Sequence, residues 1–179
     1  MFILYAVLIG VVVGFLLGGR LSGVATIEFR WPWLAIGGFV VQLVLFSDPV
    51  RERVGELGAP LYVASTVAVL VAVIRNIRIP GMVLVALGAA ANLAAIITNG
   101  GYMPASEGAF AALGGGLNPG YTNSAIVADP ALEPLTDVFA LPSWLPFANV
   151  FSAGDVLIAV GVGIVIIAAM RSGRRSPVT

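Results

Sequence analysis

Long uncharged apolar runs, broken by short polar stretches, set the pattern of this chain. Five such runs can be read: residues 2–19, 31–47, 61–74, 80–98 and 153–170. At about 1.5 Å of rise per residue, the first would extend roughly 27 Å as a helix, close to the thickness of a bilayer core. Backbone groups surrounded by lipid must find their hydrogen bonds within their own segment, so the runs predict helices rather than open strands. The third run is the shortest, and Pro60 stands at its start, where a missing N–H costs little. The expectation is an all-α membrane protein of five transmembrane helices. It forms a single integral membrane domain over residues 1–179, with a long extracytoplasmic cap, 99–152, between helices four and five. The first run does not read as a signal peptide. No basic residue precedes it, it is longer than a signal core, and no clean small-residue cleavage site follows.

Arginine placement predicts the orientation. With the C-terminus cytoplasmic, Arg20, Arg30, Arg75, Arg78, Arg171, Arg174 and Arg175 lie inside, and only Arg51 and Arg53 lie outside. The N-terminus is then outside. The acids Asp48, Glu52, Glu56, Glu107, Asp129, Glu133, Asp137 and Asp155 fall on the outer side, and Trp31 and Trp33 beside Arg30 read as an interfacial belt.

The cap holds no basic residue, six prolines, and the aromatics Tyr102, Phe110, Tyr121, Phe139, Trp144, Phe147 and Phe151. A disordered linker would have few aromatics, so an ordered cap lying on the membrane is expected. Residues 106–113 predict a short interfacial helix, and 142–146 an extended piece dipping into the interface.

Composition supports lipid as solvent. The chain is 59% hydrophobic with a mean hydropathy of +1.03, and 10% of residues are charged, against roughly 25% in soluble domains. A net charge of zero gives no reason to expect nucleic acid. Cys, His and Lys are absent. That removes thiol and imidazole chemistry, Schiff bases and the usual serine triads, and the reading includes no metal site and no cofactor. Side-chain chemistry falls to carboxylates, hydroxyls and amides.

Among the small residues, Gly10, Gly14 and Gly18 recur every fourth position and predict a close-packing face for a partner helix, either another span or another copy. Gly114-Gly115-Gly116 is not read as a phosphate cradle, because no strand precedes it and no Lys follows. Asn92, and Asn99 seven residues on, lie on nearly one face of the fourth run. They serve either interhelical hydrogen bonding or a polar path to the cap. Asp155 stands at the mouth of the last run. Ser152-Ala153-Gly154-Asp155 reads as a variant capping box with the acid in the first turn. The functional alternative pairs Asp155 with Asp137 or Asp129. Two carboxylates near a low-dielectric boundary share a proton, and such a pair can activate water.

Two resemblances attach to these residues. Asn99-Gly100-Gly101-Tyr102-Met103-Pro104, with Asn149-x-Phe151-Ser152-x-Gly154-Asp155, resembles a bacterial family of small polytopic membrane proteins of unknown function. It implies a fold type and no activity. Leu135-Thr136-Asp137-Val138-Phe139 followed by Phe151-Ser152-Ala153-Gly154-Asp155 is similar to the last third of lipoprotein signal peptidase, an aspartic endopeptidase of the outer membrane face. That resemblance implies that Asp155 matches the second catalytic aspartate. Ser152 stands where that family has Asn, and Gly154 where it has Ala. For the first aspartate, Asp129 is the nearest candidate, but Asn123 is six residues before it rather than three and Pro130 replaces an Arg. Two function classes follow. The first is a non-enzymatic accessory or lipid- or small-molecule-binding membrane protein, with Asn92, Asn99, Tyr102 and Ser152 as binding candidates. The second is an aspartyl-dyad membrane endopeptidase using Asp155 with Asp137 or Asp129.

Overall fold

The computed structural model of the chain describes residues 2–113, 124–127 and 129–172. Gly114 to Gly116, Tyr121, Asn123, Arg174 and Arg175 lie outside the described residues. The helices are α1 (Phe2–Leu16), α2 (Pro32–Leu45), a single turn α3 (Asp48–Arg51), α4 (Gly58–Arg75), α5 (Met82–Thr98), a short α6 (Glu107–Ala112) and α7 (Ala153–Ser172). Two are long and apolar enough to cross a membrane by length and composition: Gly55–Arg75, which joins a 3-10 turn to α4, and Ala153–Ser172. Helices α1, α2 and α5 are shorter apolar helices.

Several boundaries differ from expectation for local reasons. The third apolar run, expected to be the shortest, becomes one of the longest helices. Pro60 sits in its first turn, where no N–H is needed, so the helix starts before the proline rather than after it. Helix α1 stops at Leu16 because Gly18 turns the chain at φ 74°. Helix α5 starts at Met82 rather than at Pro80, since Gly81 adopts φ 93°.

The long helices form a row in the order α2, α4, α5, α7, α1. Neighbouring contacts fix their directions. Gln42 of α2 donates from Nε2 to Thr66 Oγ1 of α4 at 3.3 Å, and Gly38 lies against Ser65 and Val69, so α2 and α4 run antiparallel. Gly88 backs onto Gly154 and Gly81 onto Gly161, which makes α5 and α7 antiparallel with both glycine pairs seven residues apart. Helix α1 runs parallel to α7. A Cβ at Gly10 would meet the Gly163 backbone at 3.2 Å, and Gly14 faces Met170. The Gly10 and Gly14 face therefore packs within the chain. Gly18 lies exposed past the helix end, and Gly19 takes its place against Met170. One end of the row collects the starts of α1, α4 and α7 and the ends of α2 and α5. The opposite end carries Arg20, Arg30, Arg75, Arg78 and Arg171.

The fold is mostly helical but not all-α. Among the described residues, four short strands lie in the segment between α5 and α7: β1 (Met103–Ala105), β2 (Ser124–Ile126), β3 (Phe139–Ala140) and β4 (Val150–Phe151). β1 pairs with β2 in parallel, β3 pairs with β4 antiparallel, and an isolated bridge joins Ala105 to Asp137. Hydropathy runs could not reveal such short pairings. Helix α6 occupies the predicted position, with Ser106 Oγ accepting from the Ala109 N–H at 3.1 Å. Residues 142–146, expected to be extended, form turns instead. Leu145 N–H bonds Pro142 O, Ala148 N–H bonds Leu145 O, and Phe147 adopts φ 58°.

This segment rests on the helix ends. Phe2 of α1 stacks on Phe151 with centroids 4.2 Å apart, Phe139 stacks on the same ring at 5.5 Å, and Tyr5 Oη donates to Pro146 O. Beneath it, Leu45, Tyr62, Ala95, Ile96 and Met103 form one buried cluster. A second, of Val73, Met82 and Val85, lies toward the arginine end.

Candidate functional site

The site is built where α5, α7 and the segment between them meet. The chain enters α7 through Phe151 and Ser152, and the local sequence closes a reciprocal cap. Ser152 Oγ accepts the Asp155 N–H at 3.0 Å, and Asp155 Oδ2 accepts the Ser152 N–H at 3.1 Å. Two N–H groups that a helix start would leave orphaned are thereby satisfied. Asn92 of α5 then ties the cap across the helix pair. Its Nδ2 donates to Asp155 Oδ1 at 2.8 Å, and its Oδ1 accepts from Ser152 Oγ at 2.8 Å. Ser152 is fully buried.

This bridge depends on glycine. A Cβ at Gly154 would collide with Asn92 Oδ1 and lie 2.8 Å from Gly88 O. Only without that carbon do α5 and α7 come close enough for an Asn side chain to reach the capping residues.

The second carboxyl arrives from the strand segment. Asp137 N–H bonds Pro104 O at 2.8 Å, and Asp137 O accepts the Ser106 N–H at 3.1 Å, which fixes the residue beside β1. Its side chain is 5% exposed, and Oδ2 accepts from Ser124 Oγ at 3.1 Å. Burial above all, and after it the neighbouring Asp155 charge, push the Asp137 carboxyl up to about 7 against the Ser124 hydrogen bond, which lowers it. A buried carboxyl that gains and loses its proton near neutral pH thus stands beside a second acidic side chain. Asp129, the alternative partner, is exposed on the surface.

Other predicted residues have structural partners. Asn99 ends α5 and clasps the Ala131 backbone. Its Oδ1 accepts from Ala131 N–H and its Nδ2 donates to Ala131 O, both at 2.9 Å. It fixes the segment at the end of α5. Tyr102 packs half-buried against the Leu45 and Tyr62 cluster. Sequence reasoning missed two polar residues. Ser124 gave no signal, because only the β1–β2 pairing brings it to Asp137. Asn76, buried at the end of α4, grips Arg30 in the same manner as Asn99 grips Ala131: Arg30 N–H donates to Oδ1 and Nδ2 donates to Arg30 O, both at 2.7 Å. An Asn at the C-terminal end of an apolar helix, directly after Arg75 in one case and Thr98 in the other, was the available signal for both clasps.

A cavity of about 320 Å³ lies in the same segment, lined by Ala105, Ser106, Val127, Glu133, Thr136 and Val138 among others. Thr136 and Val138 face it, while Asp137 between them does not. The described residues hold no group of three or more acidic side chains placed for a metal ion.

No curated protein and no solved structure matches the chain. A family model does, over residues 26–167, a stretch that takes in α2, α4, α5, the strand segment and most of α7, and the chain belongs to that family, DUF5317, a family of unknown function.

Proposed function

We propose that this is a multi-pass membrane protein with its N-terminus outside, in which residues 99–152 form an extracytoplasmic cap that works as a non-enzymatic accessory or lipid- or small-molecule-binding module. The carrying observation is that Asp155 has each carboxylate oxygen engaged, one by the Ser152 N–H and one by Asn92. A carboxylate so held acts as a strut between cap and helices, and the cavity lined by Thr136 and Val138, the chain neighbours of Asp137, is the place for a ligand. Its volume is at the lower end of the range of roughly 300–1,000 Å³ typical of small-molecule sites. The membrane reading is supported by the apolar helices and by wide exposed apolar faces, such as Leu8, Leu16, Phe39 and Leu43. It is also supported by the gathering of arginines at the end away from the cap. Gentle purification with bound molecules retained, followed by mass spectrometry, tests the binding role. A molecule held by the wild-type chain should be lost when Glu133→Trp fills the cavity mouth. Equal retention by both would remove the cavity from the account.

One observation favours a second reading, an aspartyl-dyad hydrolase. Asp137 is raised to about 7 by burial and, after it, by the Asp155 charge, so near neutral pH it can hold or release a proton beside a second acidic side chain. In that reading Asp155 accepts a proton from the attacking water and Asp137 gives one to the substrate carbonyl oxygen.

A further inference from the structure

The buried Asn76 side chain is the centre of a second polar construction, at the end of the molecule opposite the cap. Its two hydrogen bonds at 2.7 Å hold the Arg30 backbone against the end of α4. A third, from Nδ2 to Ala72 O at 2.8 Å, fixes the amide itself. Arg75 precedes Asn76, and its guanidinium lies 5.6 Å from the Trp31 ring centroid, over a residue that the clasp holds at φ 57°. Arg78 stands in the tight turn that Ile79 N–H closes onto Asn76 O at 2.9 Å. Three exposed arginines are thus gathered around one buried amide. The acid nearest in sequence, Glu28, is exposed, and among the described residues the one ion pair is Arg51 with Asp48, at the cap end. Like charges held together by backbone hydrogen bonds raise each other's energy unless an anion joins them. Guanidinium forks suit phosphate oxygens in particular.

We propose that Arg30, Arg75 and Arg78 form a docking surface for the phosphate headgroup of an anionic phospholipid in the leaflet opposite the cap. The proposal rests on the membrane reading above. Charge complementarity selects the occupant. The patch lies at the ends of apolar helices, where a lipid phosphate would be, and the exposed Trp31 and Trp33 rings flank it at the depth such rings prefer.

The test uses the full chain reconstituted into vesicles of phosphatidylcholine containing a minor fraction of phosphatidylglycerol. Flotation comes first: a chain that does not float with the vesicles refutes the membrane reading itself. For the chain that floats, native mass spectrometry after release reads which lipid remains bound. The wild type should retain phosphatidylglycerol in preference to phosphatidylcholine. Each arginine removed should cost roughly fivefold in that preference. Arg78→Gln, which leaves the Arg75–Trp31 contact in place, is the first variant, and Arg75→Gln with Arg78→Gln is the second. Arg51→Gln with Arg53→Gln, at the cap end, should change nothing. A double variant at Arg75 and Arg78 with undiminished preference, or an equal loss from the cap-end control, overturns the proposal.

Discussion

Two readings of Asp155, strut and catalytic acid, are separated by single substitutions. Asp155→Asn keeps an oxygen for the Ser152 N–H but faces Asn92 with an amide, so a modest loss of about 1 kcal/mol is expected. Asp155→Ala removes both bonds and leaves Asn92 Nδ2 without its acceptor, for about 1–3 kcal/mol. Thermal unfolding in detergent reads the difference. If Asp155 does chemistry, both variants lose activity in a complementation assay equally. If it is a strut, the Asn variant matches the wild type. Asp137 makes a separate prediction about pH. Its folded pKa is raised from 3.8 to about 7, so the folded chain binds the proton more tightly than the unfolded chain. Stability is then greatest below the unfolded value and falls as pH rises from about 4 to about 7, by on the order of a few kcal/mol. Asp137→Asn should flatten that slope in a pH series of melting temperatures. Asp155→Asn, by removing the neighbouring charge, should move the Asp137 midpoint downward, which the infrared carbonyl stretch of the protonated acid can follow. A midpoint that stays in place would show burial acting alone.

At the scale of elements, the α5–α7 pair depends on Gly81, Gly88, Gly154 and Gly161. Gly154→Ala forces its new carbon into Asn92 and the Gly88 carbonyl, so a loss of about 1–3 kcal/mol is expected, with the Asn92 bridge broken. Gly37, which has nothing within 4 Å of an added Cβ, should tolerate the same change, and comparing the two melting temperatures checks the assignment. The segment between α5 and α7 is an element of another kind: two-residue and three-residue strands held by the Phe2–Phe151–Phe139 stack and the Asn99 clasp. Limited proteolysis should spare the backbone between Asn99 and Ala105 and between Thr136 and Phe151. Asn99→Ala should expose the chain near Ala131 to cleavage, and a cleavage pattern unchanged by that variant would mean that the clasp is dispensable.

For the whole molecule, the helix directions put the described elements between α5 and α7 at one end and five described arginines at the other. Reporter fusions at Arg75 and Glu133 should read cytoplasm and exterior respectively, following the arginine bias. Both reporters on one side would break the five-span arrangement.

What the sequence determined by itself follows from local rules. Uncharged runs with no polar backbone partner nearby specify helices, and the structure has a helix in each of the five runs. Ser152 three residues before Asp155 specifies a cap, because both partners lie within one turn. The tertiary structure decided whatever joins residues far apart in the chain. Asn92 meets Asp155 across 63 positions and Asn76 meets Arg30 across 46. Ser124 meets Asp137 only after two strands, too short to leave a period in the sequence, have paired. Periodicity reports which face a residue takes on its own helix. It says nothing about which helix will lie opposite, and the choice of Asp137 over Asp129 as the buried neighbour of Asp155 was of that second kind.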